Sequence, residues 1–244
     1  MKRIGVHSPP RSGSTWVGAI FHSHPSVIYK HQPLFSHDFK GSIDLNSSFD
    51  DVKRVFREMA GKRGSFLDQV EKKEEGSFPV FSKSYPDTLV YKEVRYHHIL
   101  RHLLDTDPEI QIIGLMRNPI STIYSWLHAP KEFDSSWDPL KQWRYAPKKN
   151  QGRLEEFNGY EKWKKVAWMF LDLRRKYPER FYLLMYERLN EEPGETVKGL
   201  FEFCGLSWNA QTREFLREST STPSDAPYGV FRGPKKSYRH VDKI

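Results

Sequence analysis

The sequence predicts a single α/β domain with a central parallel sheet, helices on both faces and a P-loop-like turn after the first strand. Short apolar segments typical of buried strands alternate with longer helical segments, which favours a parallel sheet. At 244 residues, with 37% hydrophobic and 14% aromatic residues, the chain can bury one sizeable core. Its first 21 residues contain an apolar strand, a polar turn and an apolar helix in direct succession.

The predicted elements follow one another with no internal repeat and no long linker between them. We expect strands at 2–7, 88–95, 110–116 and 181–186. We expect helices at 14–23, 50–60, 96–105, 120–128, 159–175, 194–203 and 210–217. Residues 1–244 are therefore predicted to form one domain.

The first strand, loop and helix predict an anion site. Residues 4–6 are apolar, and residues 12–15 offer a flexible turn before the apolar run 16–21. Unpaired N–H groups at the start of that helix would face an anion, and the helix dipole adds about half a positive charge there. Arg11 adds a full charge in a geometry suited to phosphate or sulfate oxygens. The alternative is that residues 10–13 form an ordinary turn.

This loop departs from the P-loop of nucleotide hydrolases. No lysine follows Gly13, and Ser14 stands at the position where that motif requires one. An ordinary ATPase is therefore disfavoured, and a nucleotide kinase is kept as an alternative function.

A second strand, loop and helix lies about a hundred residues further on. Residues 111–116 are typical of a fully buried parallel strand, Pro119 interrupts it, and residues 121–127 favour a helix. Arg117 at the strand end and Ser125 on the helix can converge on one phosphate through a charge-assisted contact and a hydroxyl. The alternative is that Arg117 pairs with a local acid and caps the strand.

These two units resemble the sulfotransferases that use 3′-phosphoadenosine 5′-phosphosulfate (PAPS). Residues 10–16, Pro-Arg-Ser-Gly-Ser-Thr-Trp, are similar to the family's 5′-phosphosulfate loop, and residues 117–125 are similar to its 3′-phosphate site. Residues 180–189 resemble a family strand that ends in Tyr-Glu-Asp-Leu, although Arg188 replaces the acid. Residues 231–234 resemble the late Arg-Lys-Gly segment, without its lysine.

Two further segments place the resemblance closer to the carbohydrate and bacterial branch than to the steroid and phenol branch. Residues 24–35 are similar to a His-Pro run that leads to a Glu-Pro pair in that branch, and residues 90–95 are similar to its Lys-x-Val-Arg strand. The resemblance implies transfer of a sulfuryl group from PAPS to a hydroxyl of a carbohydrate, a lipid or another small molecule.

The resemblance also implies the residues of the site and the absence of a metal cofactor. It assigns nucleotide binding to Arg11, Ser12, Gly13, Ser14, Thr15, Trp16, Arg117, Ser125, Tyr186, Arg232 and Gly233. Arg11 would stabilise the leaving phosphate oxygen and Ser125 would restrain Arg11. Lys92 would bind a sulfate oxygen.

The general base is ambiguous, because Gln32 stands where the carbohydrate branch has a glutamate and cannot take a proton. His31, next to it, is preferred over Glu93, because a histidine with a pKa near neutrality can accept the proton at physiological pH. We expect Lys92 and Arg95 to hold Glu93 ionised instead.

The acceptor is not readable from the sequence. Residues 36–87 and 128–158 match no family element and are expected to be insertions that cover the cleft. Aromatic residues around the second insertion would either form a wall for the acceptor or pack the insertion onto the core; they are Trp126, His128, Phe133, Trp137 and Trp143.

The net charge of +8 raises a nucleic-acid-binding module as a second alternative. The basic and aromatic residues near 159–175 are better explained as a helix with an apolar stripe, so no nucleic-acid partner is expected.

The single cysteine, Cys204, excludes an internal disulfide. No apolar window approaches the roughly 18 residues of a spanning helix, and a strand begins by residue 4, which favours a cytoplasmic enzyme.

Overall fold

The computed structural model describes residues 1–222 and 229–231 of the 244-residue chain. Its centre is a parallel sheet of five strands in the order β2-β3-β1-β4-β5. The strands are β1 (Lys2–His7), β2 (Val27–His31), β3 (Thr88–Glu93), β4 (Gln111–Met116) and β5 (Phe181–Met185). The predicted fold class is confirmed.

Helices connect the strands and cover both faces of the sheet. In chain order they are α1 (Ser14–His22), α2 (Phe49–Gly61), α3 (Ser65–Asp68), α4 (Val70–Glu74), α5 (Leu100–Thr106), α6 (Pro119–Leu127), α7 (Pro139–Gln142), α8 (Pro147–Asn150), α9 (Tyr160–Lys176), α10 (Tyr186–Glu191), α11 (Pro193–Phe203) and α12 (Ala210–Ser221). Short 3₁₀ turns span Pro33–Phe35 and His97–Ile99.

Alternating side chains of the strands divide the core into two layers. On one face, Leu89 and Ile112 pack with residues of α2, α5 and α9. On the other face, Val90 and Ile113 pack with residues of α1, α11 and α12. All of these strand residues are fully buried. The carboxyl ends of the five parallel strands therefore lie at one edge, where loops meet and ligands bind in open α/β sheets.

The sequence correctly predicted four of the strands but missed β2. That strand ends in Lys30 and His31, so it lacks the continuous apolar pattern of a buried parallel strand. Lys30 is nevertheless fully buried, because its Nζ forms an ion pair with Asp68 at 2.8 Å and also donates to the carbonyl of Lys62. Tyr186, expected at the end of β5, instead begins α10.

The segments expected to cover the cleft each contain helices. Residues 36–87 hold α2, α3 and α4, and residues 128–158 hold α7 and α8. Their role as insertions of a single domain stays a prediction. Within the described part of the chain, no helix combines the length and the apolar character that a membrane crossing requires.

Candidate active site

The loop between β1 and α1 has the backbone geometry of an anion-binding turn. Arg11 and Gly13 both adopt the left-handed conformation, with φ of 68° and 92°. Gly13 is the N-cap of α1 and provides no side-chain cap. A Cβ at this glycine would lie 2.6 Å from Cε2 of Tyr186, so the Tyr186 ring packs directly on the loop backbone. Only glycine satisfies both the conformation and the close approach.

Arg11 is the point at which the two strand–loop–helix units meet. Its Nε donates to Oγ of Ser125 on α6 at 3.3 Å. Its backbone carbonyl accepts a hydrogen bond of 3.1 Å from the guanidinium of Arg117. The structure therefore brings together the two arginines and the serine that the sequence assigned to the 5′ and 3′ phosphates.

The turn between β4 and α6 holds Arg117 in place. Asn118 caps α6, since its Oδ1 accepts from the backbone N–H groups of Ile120 and Ser121 at 2.9 and 3.3 Å. The carbonyl of Arg117 accepts from the indole of Trp163 at 3.1 Å. The Arg117 guanidinium lies 4.8 Å from the centre of the Tyr186 ring, a cation–π contact that links both predicted site residues.

The remaining residues of the first loop line its inner side. The Ser12 hydroxyl is buried and has no hydrogen-bond partner among the described residues, while Ser14 is buried and Thr15 half-buried. Trp16 is fully buried, donates from its indole to Ser219 Oγ at 3.1 Å and meets the Tyr186 ring edge-on. Its expected contact with adenine stays a prediction.

Lys92 and Glu93 end β3 next to the loop, and both are buried, with exposures of 2% and 0%. Burial lowers the pKa of Lys92 and raises the pKa of Glu93. The expectation that Lys92 and Arg95 hold Glu93 ionised is therefore wrong, because desolvation outweighs their charges, and Arg95 pairs with Glu156 at 2.9 Å instead.

Glu93 has a structural contact. Its Oε1 accepts from the backbone N–H of Leu34 at 2.7 Å, at the start of the 3₁₀ turn Pro33–Phe35. Its Oε2 is buried and has no hydrogen-bond partner among the described residues. The carboxyl therefore ties β3 to the segment that follows β2.

His31 ends β2 beside Lys92 in the sheet and is 5% exposed. Its ring nitrogens lie 3.5 Å from the Tyr29 hydroxyl and 3.1 Å from the Gln32 side-chain nitrogen. Burial, aided by the charge of Lys92, lowers the pKa of His31 well below its usual range. The preference for His31 had assumed a pKa near neutrality, and burial removes that basis.

One functional candidate escaped the sequence analysis. Glu132, in the loop after α6, forms an ion pair with Arg11 at 3.3 Å. Because α6 ends at Leu127, no helical periodicity links Glu132 to Ser125, and the sequence offered no local signal for this contact.

Aromatic side chains pack the second predicted insertion onto α6. Trp126 and Phe133 meet edge-on at 5.2 Å, and Phe133 meets Trp137 at 5.4 Å. A small cleft with a volume of about 10 Å³, room for about one water molecule, adjoins this cluster, between Pro10, Trp126 and Trp163. The indole N–H of Trp126 is buried without a hydrogen-bond partner among the described residues.

Two assigned residues, Arg232 and Gly233, lie outside the described residues. Among residues 1–222 and 229–231, no group of three or more histidine, cysteine, aspartate or glutamate side chains has the arrangement of a metal site.

Solved structures with a similar fold include three sulfotransferases. A mouse sulfotransferase complexed with PAP is 14% identical, with a TM-score of 0.52, over 98% of this chain and 73% of that chain. The sulfotransferase domain of the curacin biosynthetic pathway is 17% identical, with a TM-score of 0.52, over 95% and 82%. A sulfotransferase from Alicyclobacillus acidocaldarius is 14% identical, with a TM-score of 0.50, over 88% and 90%. These similarities show that the chain shares the fold of these proteins.

A curated relative from Aquifex aeolicus, described as an uncharacterized protein, is 31% identical over 71 residues. That match takes in 28% of this chain and 9% of the relative, so the chain matches less than a tenth of that protein's length. The family model described as the sulfotransferase domain matches residues 2–224. The chain therefore belongs to the sulfotransferase domain family.

Proposed function

We propose that this chain binds PAPS and transfers its sulfuryl group to a hydroxyl of a carbohydrate, a lipid or another small molecule. The observation that carries the proposal is the hydrogen bond from Arg11 to Ser125, together with that from Arg117 to the Arg11 carbonyl. These contacts place two arginines and a hydroxyl around one helix N-terminus, which suits a nucleotide with two separate phosphates.

The first loop is proposed to bind the 5′-phosphosulfate of the donor. The backbone N–H groups at the start of α1, with the hydroxyls of Ser12, Ser14 and Thr15, are the donors in reach of such a group. The buried Ser12 hydroxyl, without a partner in the described part of the chain, supports this assignment.

The second loop is proposed to bind the 3′-phosphate, through Arg117 and Ser125. The adenine is proposed to lie beside Tyr186 and Trp16. The Tyr186 ring packs on Gly13 and contacts the Arg117 guanidinium, and Trp16 packs on the Tyr186 ring. Arg232 and Gly233 are proposed to add contacts to the 3′-phosphate, as the family resemblance implies.

Sulfuryl transfer requires the acceptor oxygen, the sulfur and the leaving phosphate oxygen to lie in line, so the protein contributes positioning and charge stabilisation. Arg11 is proposed to stabilise the negative charge that develops on the leaving oxygen. Ser125 restrains the direction of the Arg11 guanidinium. Lys92, buried beside the loop, is proposed to bind a sulfuryl oxygen.

The cleft between Pro10, Trp126 and Trp163 supports an approach of the acceptor from the side of the second insertion. Its lining is mainly apolar and aromatic and includes Trp126, whose buried indole N–H has no hydrogen-bond partner among the described residues. His31 and Glu93 stay predicted bases, and a cytoplasmic location stays a prediction.

Calorimetry with four ligands tests the proposed function. We expect 3′-phosphoadenosine 5′-phosphate (PAP) to bind about tenfold or more tightly than ADP, because only PAP carries the 3′-phosphate. ATP with Mg²⁺ and a single-stranded oligonucleotide are the arms for a nucleotide kinase and for a nucleic-acid-binding module. Equal affinities for PAP and ADP would contradict the proposal. If PAP binds more tightly, a product screen with PAPS and diverse hydroxylated compounds would identify the acceptor.

A further inference from the structure

Glu132 presents its carboxylate to Arg11 from outside the nucleotide loops. Its Oε1 lies 3.3 Å from Nη1 of Arg11. The Glu132 side chain is 27% exposed and that of Arg11 is 11% exposed. Glu132 is therefore partly open to solvent, whereas the Arg11 side chain that it contacts is mostly buried.

The turn that carries Glu132 is firmly anchored. The backbone N–H groups of Glu132 and Phe133 donate to the carbonyl of Ala129 at 2.9 and 2.8 Å. Ala129 is 1% exposed and Phe133 is 7% exposed, and Phe133 packs edge-on against Trp126. A side chain on such a turn has a defined direction, which a group that takes part in proton transfer requires.

Glu132 also lies within electrostatic reach of Lys92. Its charge acts to raise the pKa of Lys92, against the larger effect of burial. The carboxylate thus contacts Arg11, proposed to stabilise the leaving oxygen, and acts electrostatically on Lys92, proposed to bind the sulfuryl group. The oxygen that attacks the sulfur must come from the same small region, in line with the bond that breaks.

The two bases predicted from the sequence are less accessible. Glu93 is fully buried and binds a backbone N–H group, and His31 is 5% exposed with both ring nitrogens near polar neighbours. Glu132 combines partial exposure to solvent with contact to Arg11. We propose that Glu132 is the catalytic base, the group that removes the proton from the acceptor hydroxyl; this rests on the proposed function.

The step balances in atoms and charge. The acceptor oxygen forms a bond to sulfur while the bond between sulfur and the leaving phosphate oxygen breaks. The electron pair of the broken bond stays on that oxygen, next to Arg11. The acceptor proton moves to the Glu132 carboxylate. The products are the sulfate ester and PAP.

The experiment uses PAPS with water in the place of the acceptor. Sulfate release is measured under single-turnover conditions for the full chain and for Glu132→Gln, after calorimetry has measured binding of PAP to each. Asp134→Asn is the matched control, because Asp134 lies two residues further along the chain and its side chain accepts from the backbone N–H of Ser136. We expect Glu132→Gln to lower the rate about 100-fold or more with binding of PAP retained, since general bases contribute at least that much.

A second variant separates proton transfer from mere positioning of Arg11. In Glu132→Ala, added formate is expected to restore sulfate release at least tenfold, because a small carboxylate can enter the vacated space and accept the proton. His31→Ala and Glu93→Gln complete the series. If either of these abolishes release while Glu132→Gln does not, the proposal is overturned.

The outcomes also distinguish this proposal from the proposed function. If the unmodified chain does not bind PAP, the proposed function fails, whatever Glu132 does. If it binds PAP and PAPS but releases no sulfate above the background without protein, Glu132 is not the base, because a carboxylate at this place would activate the water that fills the acceptor position. Unchanged release in Glu132→Gln overturns the proposal in the same way.

Discussion

The Nε of Arg11 donates to the hydroxyl of Ser125 over 3.3 Å, although the two residues are 114 positions apart in the sequence. The bond joins the loop after β1 to helix α6, which follows β4. Because β1 and β4 are neighbours in the parallel sheet, their carboxyl ends bring the two loops together at the edge where ligands bind. The candidate site is therefore a consequence of the strand order.

Arg117→Ala tests the assignment of the second loop. We expect this variant to lose about tenfold or more in affinity for PAP while its affinity for ADP changes little, because the charge-assisted contact to the 3′-phosphate is worth about 1.5–3 kcal/mol. Calorimetry with both ligands measures the difference. Arg217→Ala, on the exposed face of α12, is the matched control. An equal loss for PAP and ADP would show that Arg117 acts only by shaping the Arg11 loop.

Arg11→Ala is expected to lower turnover of PAPS more than it weakens binding of PAP. The largest effect of Arg11 arises as charge develops on the leaving oxygen, and PAP lacks the bond that breaks. Single-turnover rates and calorimetry on the same variant give the two quantities. Arg11→Lys retains the charge and should lose less turnover. If the variant binds PAP more weakly but turns PAPS over at the same rate, Arg11 only binds the phosphate.

The sequence predicted the fold well because the signals it used are local. Apolar runs and proline or glycine breaks located four of the five strands, and helices such as α1, α6 and α9 begin and end close to the predicted residues. The strand β2 was missed, because Lys30 is made compatible with burial by distant partners, the carbonyl of Lys62 and the carboxylate of Asp68, which is 38 positions away. No local pattern contains that information.

The sequence predicted the site residues that belong to the two loops and missed the properties that depend on packing. Arg11, Arg117 and Ser125 come together as expected. The ionisation of Glu93 was misjudged, because a sequence shows the neighbouring charges but not the complete burial of the carboxyl. Glu132 was missed, because the anchored turn that directs it to Arg11 is visible only in three dimensions.

Gly13→Ala is expected to destabilise the protein by about 1–3 kcal/mol and to weaken binding of PAP. The new Cβ would require a left-handed backbone with φ near 92° and would lie 2.6 Å from the Tyr186 ring. Denaturant unfolding measures the first effect. Gly194→Ala, in α11, is the control: its Cβ meets nothing within 4 Å, so the change should be neutral or slightly stabilising. Similar free energies for both variants would contradict the close packing on Gly13.

His22 is expected to make stability depend on pH. Its ring is 8% exposed and stacks on Phe78, and burial lowers its pKa from 6.5 to about 2. The unfolded chain therefore binds a proton at His22 below about pH 6.5, while the folded chain does not. The free energy of unfolding is unaffected by His22 above that pH and decreases as the pH falls below it.

The slope that His22 contributes should approach about 1.4 kcal/mol per pH unit below pH 6. Denaturant unfolding at pH 7.5, 6.0 and 5.0 measures it, and His22→Asn should reduce the slope whatever its effect on stability at pH 7.5. His128→Asn, at an exposed position after α6, is the matched control. An unchanged slope in His22→Asn would contradict the effect of burial.

Lys92→Met is expected to stabilise the fold and to impair the reaction. Lys92 is 2% exposed, burial lowers its pKa, and its ammonium forms no hydrogen bond or ion pair with the described residues, so its charge is costly in the folded state. Methionine has a similar shape without the charge, and we expect about 1–2 kcal/mol more stability in denaturant unfolding. The same variant should bind PAPS more weakly than the unmodified chain does but bind PAP equally, because PAP lacks the sulfuryl oxygens that Lys92 is proposed to contact. If Lys92→Met lowers stability, or lowers the affinity for PAPS and PAP equally, the Lys92 ammonium stabilises the folded protein and does not contact the sulfuryl group.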